Sequence, residues 1–329
     1  MDDPHEGERR PSTAPESMSV TVSGIVDSEK ATEFAHLLAA HVRAIGTIID
    51  VSRLDGLHAA DDYPAALEEV DRGFQASQAL RRSENVDMVG MAMTVFVVRE
   101  AVPKAHLVFD IEAVLPLYVC EQESPERRQA VQLIAHECAH IEDLKRKDEA
   151  FPGVILQPRE VGWIEQVLGP VGLNFWEEYY ACRRTAGFRR EAIDDFAGVL
   201  ISCLDNAPGE VRAAIERYRL HHDLDRLIAE AVDPAMRPLK AAAYLFGHID
   251  GLDGDWDMIP EVRERLKGHT IGELAEEMLA QLHRLWESRD GWIGLFEFDE
   301  LTEIAVAALE MGGIRPEEFA DGRCYLHVP

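Results

Sequence analysis

Basic residues are scarce in this 329-residue chain: 33 Lys and Arg stand against 61 Asp and Glu, a formal net charge of −28 at pH 7. Nucleic acids and anionic membranes are bound through basic surfaces, so neither is expected as a direct ligand. Long apolar runs are also missing, and no stretch approaches the ~20 residues that a membrane-spanning helix needs. Residues 1–17 are polar and proline-rich instead of apolar, which predicts a disordered tail and no signal peptide.

Cysteine is rare as well, with five residues that follow no disulfide-framework spacing. This usage suits a reducing compartment, and without a signal peptide or membrane span a cytoplasmic location is expected. The remaining composition, 47% hydrophobic and 29% charged, is that of a globular protein with a large core and one to two domains.

The most informative motif present is His136-Glu137-Cys138-Ala139-His140, which reads H-E-x-x-H. On a helix, the two histidines lie one turn apart on the same face and can hold one Zn²⁺. Glu137 lies one step around the helix and can take a proton from a zinc-bound water. The pattern is short enough to arise by chance, so the flanking sequence has to support it.

The flanking sequence predicts a helix from Pro125 to about Lys147. Ser124 is the expected N-cap, Pro125 suits the first helical position, and Glu126 suits the positive end of the helix dipole. At about 100° per residue, an apolar face lies on the side opposite the histidines. Asp143 returns to the histidine side, where it either orients an imidazole or lies on the surface.

A catalytic zinc site needs a third protein ligand and an open position for water. The segment from Asn174 to about Gly187 predicts a second helix in which Asn174 is the N-cap and Glu177 the capping acid. That interpretation leaves Glu178 as the zinc ligand, with 37 residues between it and the second histidine. Glu177 remains the alternative ligand, and both acids could instead be solvated at a helix start. Cys182 is a further candidate by residue type.

H-E-x-x-H followed by a helical glutamate resembles the gluzincin pattern of zinc metallopeptidases. The chain is similar to the compact cytosolic kind, which cleaves repressor proteins. The resemblance covers roughly residues 20–200, and it implies that His136, His140 and Glu178 bind zinc while Glu137 is general base and acid. It also implies an active-site helix preceded by a sheet whose edge strand holds an extended peptide. The longer Asn-Glu-x-x-x-Asp signature of larger gluzincins is absent, since Cys182 stands four positions after the glutamate.

The predicted fold class is α+β: a small antiparallel sheet and zincin active-site helices, followed by an all-α region. Val89–Val98 and Ala105–Phe109 are the two strand candidates before the metal helix, and 111–119 is ambiguous between strand and helix. We expect a metallopeptidase domain over residues 18–206 and an acidic helical domain over 207–329, divided near Asn206-Ala207-Pro208-Gly209. The expected helices are 28–50, 63–74, 191–204, 209–231, 238–249, 271–287 and 299–311.

Tyr244 and His248 are the candidate donors to a substrate oxyanion, because their i, i+4 spacing places them on one helix face. The sequence therefore predicts a zinc-dependent peptidase acting on a peptide or protein substrate, with Glu137 as the base. Two alternatives stay open: a zinc amidohydrolase acting on a small amide, and a non-catalytic binding or regulatory module with a zincin-like fold.

Overall fold

The computed structural model describes residues 10–75, 79–319 and 323–329, and these form two compact units. The first unit contains the described residues of 1–84 and 89–149, and the second those of 85–88 and 150–329. Residues 1–9 of the predicted disordered tail lie outside the described residues. In the rest of that tail, Thr13 is ordered by hydrogen bonds: its N–H and hydroxyl both donate to the Gly46 carbonyl, at 2.9 and 3.0 Å.

The described part of the first unit alternates strands with helices. Its elements in chain order are β1 (Ser19–Val22), α1 (Ser28–Ile45), β2 (Leu54–Ala60), α2 (Tyr63–Glu69), β3 (Ala92–Arg99), β4 (Val102–Asp110), α3 (Ile111–Val114), α4 (Pro116–Val119) and α5 (Pro125–Ala150). Helix α1 ends at Ile45, five residues before its predicted end at Asp50, and α2 ends at Glu69 instead of Phe74. The ambiguous segment 111–119 forms two short helices.

The sheet of the first unit has the strand order β1-β2-β4-β3. The predicted antiparallel pair before the metal helix is confirmed as β3 and β4, joined through Glu100 and Ala101. Both turn residues have positive φ, 51° and 62°, which suits a two-residue hairpin turn. The prediction of a wholly antiparallel sheet is wrong, because β1–β2 and β2–β4 are parallel pairs. Helix α1 is the crossover between β1 and β2, and such a connection returns the strand in the same direction. Strand β3 runs opposite to β4, so the β3–β4 hairpin brings β4 back parallel to β2.

Helix α5 forms as the flanking sequence predicts, over Pro125–Ala150. Ser124 caps it, since the Ser124 hydroxyl oxygen accepts from the Arg127 N–H at 3.2 Å. The predicted apolar face is buried, including Ile134, Cys138 and Ile141 with no exposed surface. Burial of this face anchors the helix and leaves the histidine side to carry chemistry.

The described part of the second unit is mostly helical. Its elements are α6 (Trp163–Val167), α7 (Gly169–Thr185), α8 (Ala192–His221), α9 (Leu224–Gly251), α10 (Pro260–Lys267), α11 (Gly272–Ser288), α12 (Asp299–Met311), β5 (Arg315–Glu318) and β6 (Cys324–His327). The β5–β6 hairpin and the short helix α10 were not predicted from the sequence.

The segment Asn206–Gly209, predicted as a domain boundary, lies inside helix α8, and the two units divide instead after Glu149. Pro208 lacks an N–H and would ordinarily interrupt a helix. Its neighbours Ala207 and Val211 are buried in the core of the second unit. Burial of these side chains offsets the lost hydrogen bond and keeps the helix continuous.

Two glycines fix the crossing of α7 and α9. A Cβ added to Gly247 would lie 2.3 Å from the Tyr179 carbonyl oxygen, and one added to Gly251 would lie 2.3 Å from that of Arg183. Each pair is one helical turn from the other, so the backbones are in close contact over a full turn and the helices run in the same direction there. The α7 segment that carries Glu178 is therefore held rigidly against α9.

Candidate metal centre

The two histidines of the motif converge in the first unit. His136 and His140 project from one face of α5, and their Nε2 atoms are 3.2 Å apart. The rings are nearly perpendicular, at 85° with centroids 4.8 Å apart. Two imidazole nitrogens close enough to bind the same ion are the first requirement of a zinc site. The same separation also suits one N–H···N hydrogen bond between the rings.

Glu137 is buried, with 6% of its surface exposed, and is held by the edge strand β3. The Thr94 hydroxyl donates to Glu137 Oε2 at 2.7 Å. A carboxylate that accepts such a bond has a fixed orientation, which suits a group that has to move a proton. Thr94 was not singled out from the sequence, although it is the one polar side chain within Val89–Val98.

Asp143 is also buried, with 1% exposed, so the interpretation of it as a surface residue is wrong. Its carboxylate pairs with the Lys147 ammonium at 2.8 Å, one turn further along α5. The ammonium lies 6.0 Å from the centroid of the Phe96 ring on β3. This buried ion pair fixes the C-terminal half of α5 below the histidines.

Glu178 lies in the second unit and is buried, with 7% exposed. The prediction that Asn174 caps this helix is wrong: α7 begins at Gly169, and Pro170 occupies its first turn, where a missing N–H costs nothing. Asn174 is therefore inside the helix, where its amide donates to Glu178 Oε1 at 3.4 Å. Glu177, the alternative ligand, loses its capping role and is only half-buried.

The Lys240 ammonium of α9 lies 3.1 Å from the same Glu178 oxygen. The sequence does not predict Lys240 as a partner, because 62 residues separate it from the glutamate and no local pattern links them. Only the α7–α9 crossing brings the two side chains together. The ammonium also lies 5.8 Å from the centroid of the Tyr244 ring.

The two cysteines near the motifs are core residues. Cys138 and Cys182 are both buried. Burial, reinforced by the charge of Glu137 in the first case and Glu178 in the second, raises the pKa of each thiol above its ordinary value. A thiol ligates metal as the thiolate, so both environments oppose this role for cysteine.

Tyr244 and His248, the predicted oxyanion donors, lie one turn apart on α9, and both rings contact Phe196 of α8. The Tyr244 ring stacks on Phe196 at 5.9 Å, and the His248 ring is tilted at 5.3 Å. His248 is fully buried, and its Nε2 lies 3.1 Å from the Arg190 carbonyl oxygen. Burial lowers the pKa of His248, so the ring is neutral near pH 7 and donates through Nε2.

Comparisons of the chain with protein-family models, with curated proteins and with solved structures find no match. The resemblance to gluzincins therefore depends on the motif residues alone. None of the described helices has the length and apolarity that crossing a membrane requires.

Replacing Thr94 with valine is expected to lower the rate of substrate turnover about 10- to 100-fold, the usual effect of losing a partner that orients a site residue. Zinc content should not change, because Thr94 contacts the proposed base and neither histidine. We compare kcat and zinc per chain in Thr94→Val with the same quantities in the control Thr32→Val. The Thr32 hydroxyl donates to the Ser28 carbonyl on α1, away from the motif. Equal rates in both variants would remove Thr94 from the site.

Proposed function

We propose that the protein is a zinc-dependent peptidase in which His136, His140 and Glu178 bind the metal and Glu137 is the general base and acid. The proposed ligand set is two imidazole nitrogens from α5 and one carboxylate oxygen from α7. Two histidines and a glutamate are a ligand set of catalytic zinc sites, which keep one further position open.

The observation that carries the proposal is the separation of the two imidazole nitrogens. Zn–N bonds of about 2.0–2.1 Å at a tetrahedral angle place two nitrogens about 3.3 Å apart. His136 Nε2 and His140 Nε2 are 3.2 Å apart. This separation supports a zinc site built from the two side chains on α5. The buried, hydrogen-bonded carboxylate of Glu178 supplies the negative charge that a divalent cation needs in a site of neutral imidazoles.

A bound zinc would polarise the substrate carbonyl and make a water nucleophilic near neutral pH. Glu137 takes the proton of that water at the carboxylate that Thr94 orients, and then passes it to the leaving amine. Tyr244, beside Lys240 on α9, is the donor proposed for the oxyanion. The His248 ring packs against Phe196 and so supports this face of α9. Its Nε2 is hydrogen-bonded to the Arg190 carbonyl oxygen.

A peptide substrate is favoured over a small amide because the proposed base is bonded to an edge strand. Strand β3 ends the sheet order β1-β2-β4-β3, and Thr94 belongs to it. An extended peptide can add to a sheet edge through its backbone, which brings a scissile bond alongside that strand. A repressor or another regulatory protein is the substrate that the resemblance implies.

The test pairs zinc binding with cleavage of a fluorescence-quenched peptide library. We expect about one zinc per chain and zinc-dependent cleavage in the wild type. Both should be lost in His136→Ala and Glu178→Ala and kept in Glu177→Ala, the matched control on the same helix. Zinc retained in Glu178→Ala would assign the third ligand elsewhere, and zinc binding without cleavage of any peptide would contradict the peptidase.

A further inference from the structure

A lysine and an asparagine act on the same oxygen of Glu178. The Lys240 ammonium is 3.1 Å from Oε1, and the Asn174 amide donates to Oε1 at 3.4 Å. Asn174 precedes Glu178 by one turn of α7, whereas Lys240 comes from α9. Donors from two helices that converge on one carboxylate oxygen fix the rotation of the carboxylate about its side chain.

The lysine is itself held in place. Its ammonium faces the Glu178 carboxylate on one side and the Tyr244 ring, 5.8 Å away, on another. About a quarter of its side chain, 27%, is exposed, compared with 9% of the Glu178 side chain. The backbones of α7 and α9 are in close contact at Gly247 and Gly251, which sets the distance between the two helices. Lys240 therefore has a defined position relative to Glu178.

We infer that Lys240 is a positioning residue for the metal site: it holds Glu178 in the orientation that binds zinc. The inference rests on the proposed function. Partners that hydrogen-bond a metal-binding carboxylate set its orientation, and losing one commonly costs 10- to 100-fold in metal affinity. An opposing effect exists, because an ammonium beside the site repels a divalent cation. The two effects have opposite signs, so a measured affinity distinguishes them.

The experiment measures the zinc dissociation constant of the full chain by competition with a chromophoric chelator. Lys240→Met keeps the length of the side chain and removes its charge and donors, and Lys240→Arg keeps both. We expect zinc affinity to fall about 10-fold in Lys240→Met and to stay within about threefold of the wild type in Lys240→Arg. Lys267→Met, which removes the exposed ion pair with Glu264, is the matched control and should bind zinc as the wild type does.

Two further readouts separate positioning from general stability. The melting temperature of each metal-free variant reports whether the fold is intact. The visible spectrum of the Co²⁺-loaded protein reports the geometry of the ligands, and it should change in Lys240→Met and be restored in Lys240→Arg. Unchanged or tighter zinc binding by Lys240→Met would overturn the inference, as would equal losses in the methionine and arginine variants.

Failure of the proposed function would give different results in the zinc-binding measurements. If the wild type binds no zinc, or if Glu178→Gln binds it as tightly as the wild type does, the ligand set itself is wrong and the role of Lys240 falls with it. If Glu178→Gln loses zinc and Lys240→Met does not, the zinc site stands and only the positioning role is lost.

Discussion

Replacing Glu137 with glutamine is expected to abolish peptide cleavage while leaving zinc bound. Glutamine has nearly the shape of glutamate and can still accept the Thr94 hydroxyl, which lies 2.7 Å from the native carboxylate. It cannot take the proton of the attacking water. Loss of a general base commonly lowers the rate by about 10²- to 10⁴-fold, so kcat should fall by that factor. The measurement is cleavage of the best library peptide together with zinc per chain.

Glu142→Gln is the control for this change, because it makes the same substitution on the same helix outside the motif. Glu142 accepts the Asp50 N–H at 3.0 Å and has no part in the proposed chemistry. It should cleave peptide at close to the wild-type rate. Cleavage by Glu137→Gln at close to the wild-type rate would rule out the mechanism even with zinc in place.

Replacing Arg237 with methionine is expected to lower the free energy of unfolding by about 3–5 kcal/mol, the cost of leaving a buried charge without its partner. The Arg237 guanidinium is 2% exposed and bonds three carboxylates. Those of Glu210 and Asp233 are 38% and 60% exposed and can be solvated instead. The Asp87 carboxylate has no exposed surface, so it dominates the effect.

Asp87 keeps its charge because several donors surround it. Burial alone would raise the pKa of this carboxyl, but hydrogen bonds from Ser202, Asn206 and Arg237 outweigh that effect and hold the pKa below its ordinary value. These bonds are short, with Ser202 Oγ at 2.6 Å and Asn206 Nδ2 at 2.8 Å. Near neutral pH the carboxylate therefore stays charged, and it is unpaired once the guanidinium is gone.

Urea unfolding of Arg237→Met, compared with Arg226→Met, measures the loss. Arg226 lies on the same helix and pairs with Glu230, but its side chain is 54% exposed. Its replacement should cost no more than about 1 kcal/mol, as for other surface ion pairs. Adding Asp87→Asn to Arg237→Met should recover part of the stability, since the buried charge is then removed. Equal losses in the two methionine variants would contradict this account of the network.

The parts of the site that the sequence predicted are the local ones. The spacing of His136 and His140 places them one turn apart on any helix, and the Ser124-Pro125 start makes a helix there. The antiparallel strands before it were predictable from their β-branched content. Helices α1 and α2 were predicted too, but strands β1 and β2 were not. Their parallel pairing could not be predicted either, because it depends on which strands become neighbours in the sheet.

The parts that were missed are set by contacts distant in sequence. Thr94 meets Glu137 across 43 residues, and Lys240 meets Glu178 across 62. Neither spacing follows a helical or strand period. Local signals were also overridden: Asn174 was predicted as the N-cap of its helix, whereas Gly169 and Pro170 form the first turn of α7. Pro208 and Gly209 were predicted as part of a domain boundary, but burial of the neighbouring side chains keeps helix α8 continuous there.

The most direct test of the zinc site is X-ray absorption at the zinc edge of the wild-type protein purified without added metal. The account predicts about one zinc per chain with four light-atom neighbours at about 2.0–2.1 Å, two of them imidazole nitrogens, and no sulfur. A sulfur neighbour at about 2.3 Å would instead place Cys182 or another thiolate in the site. A protein that takes up no zinc, even when it is supplied, would show that the two histidines are merely hydrogen-bonded to each other.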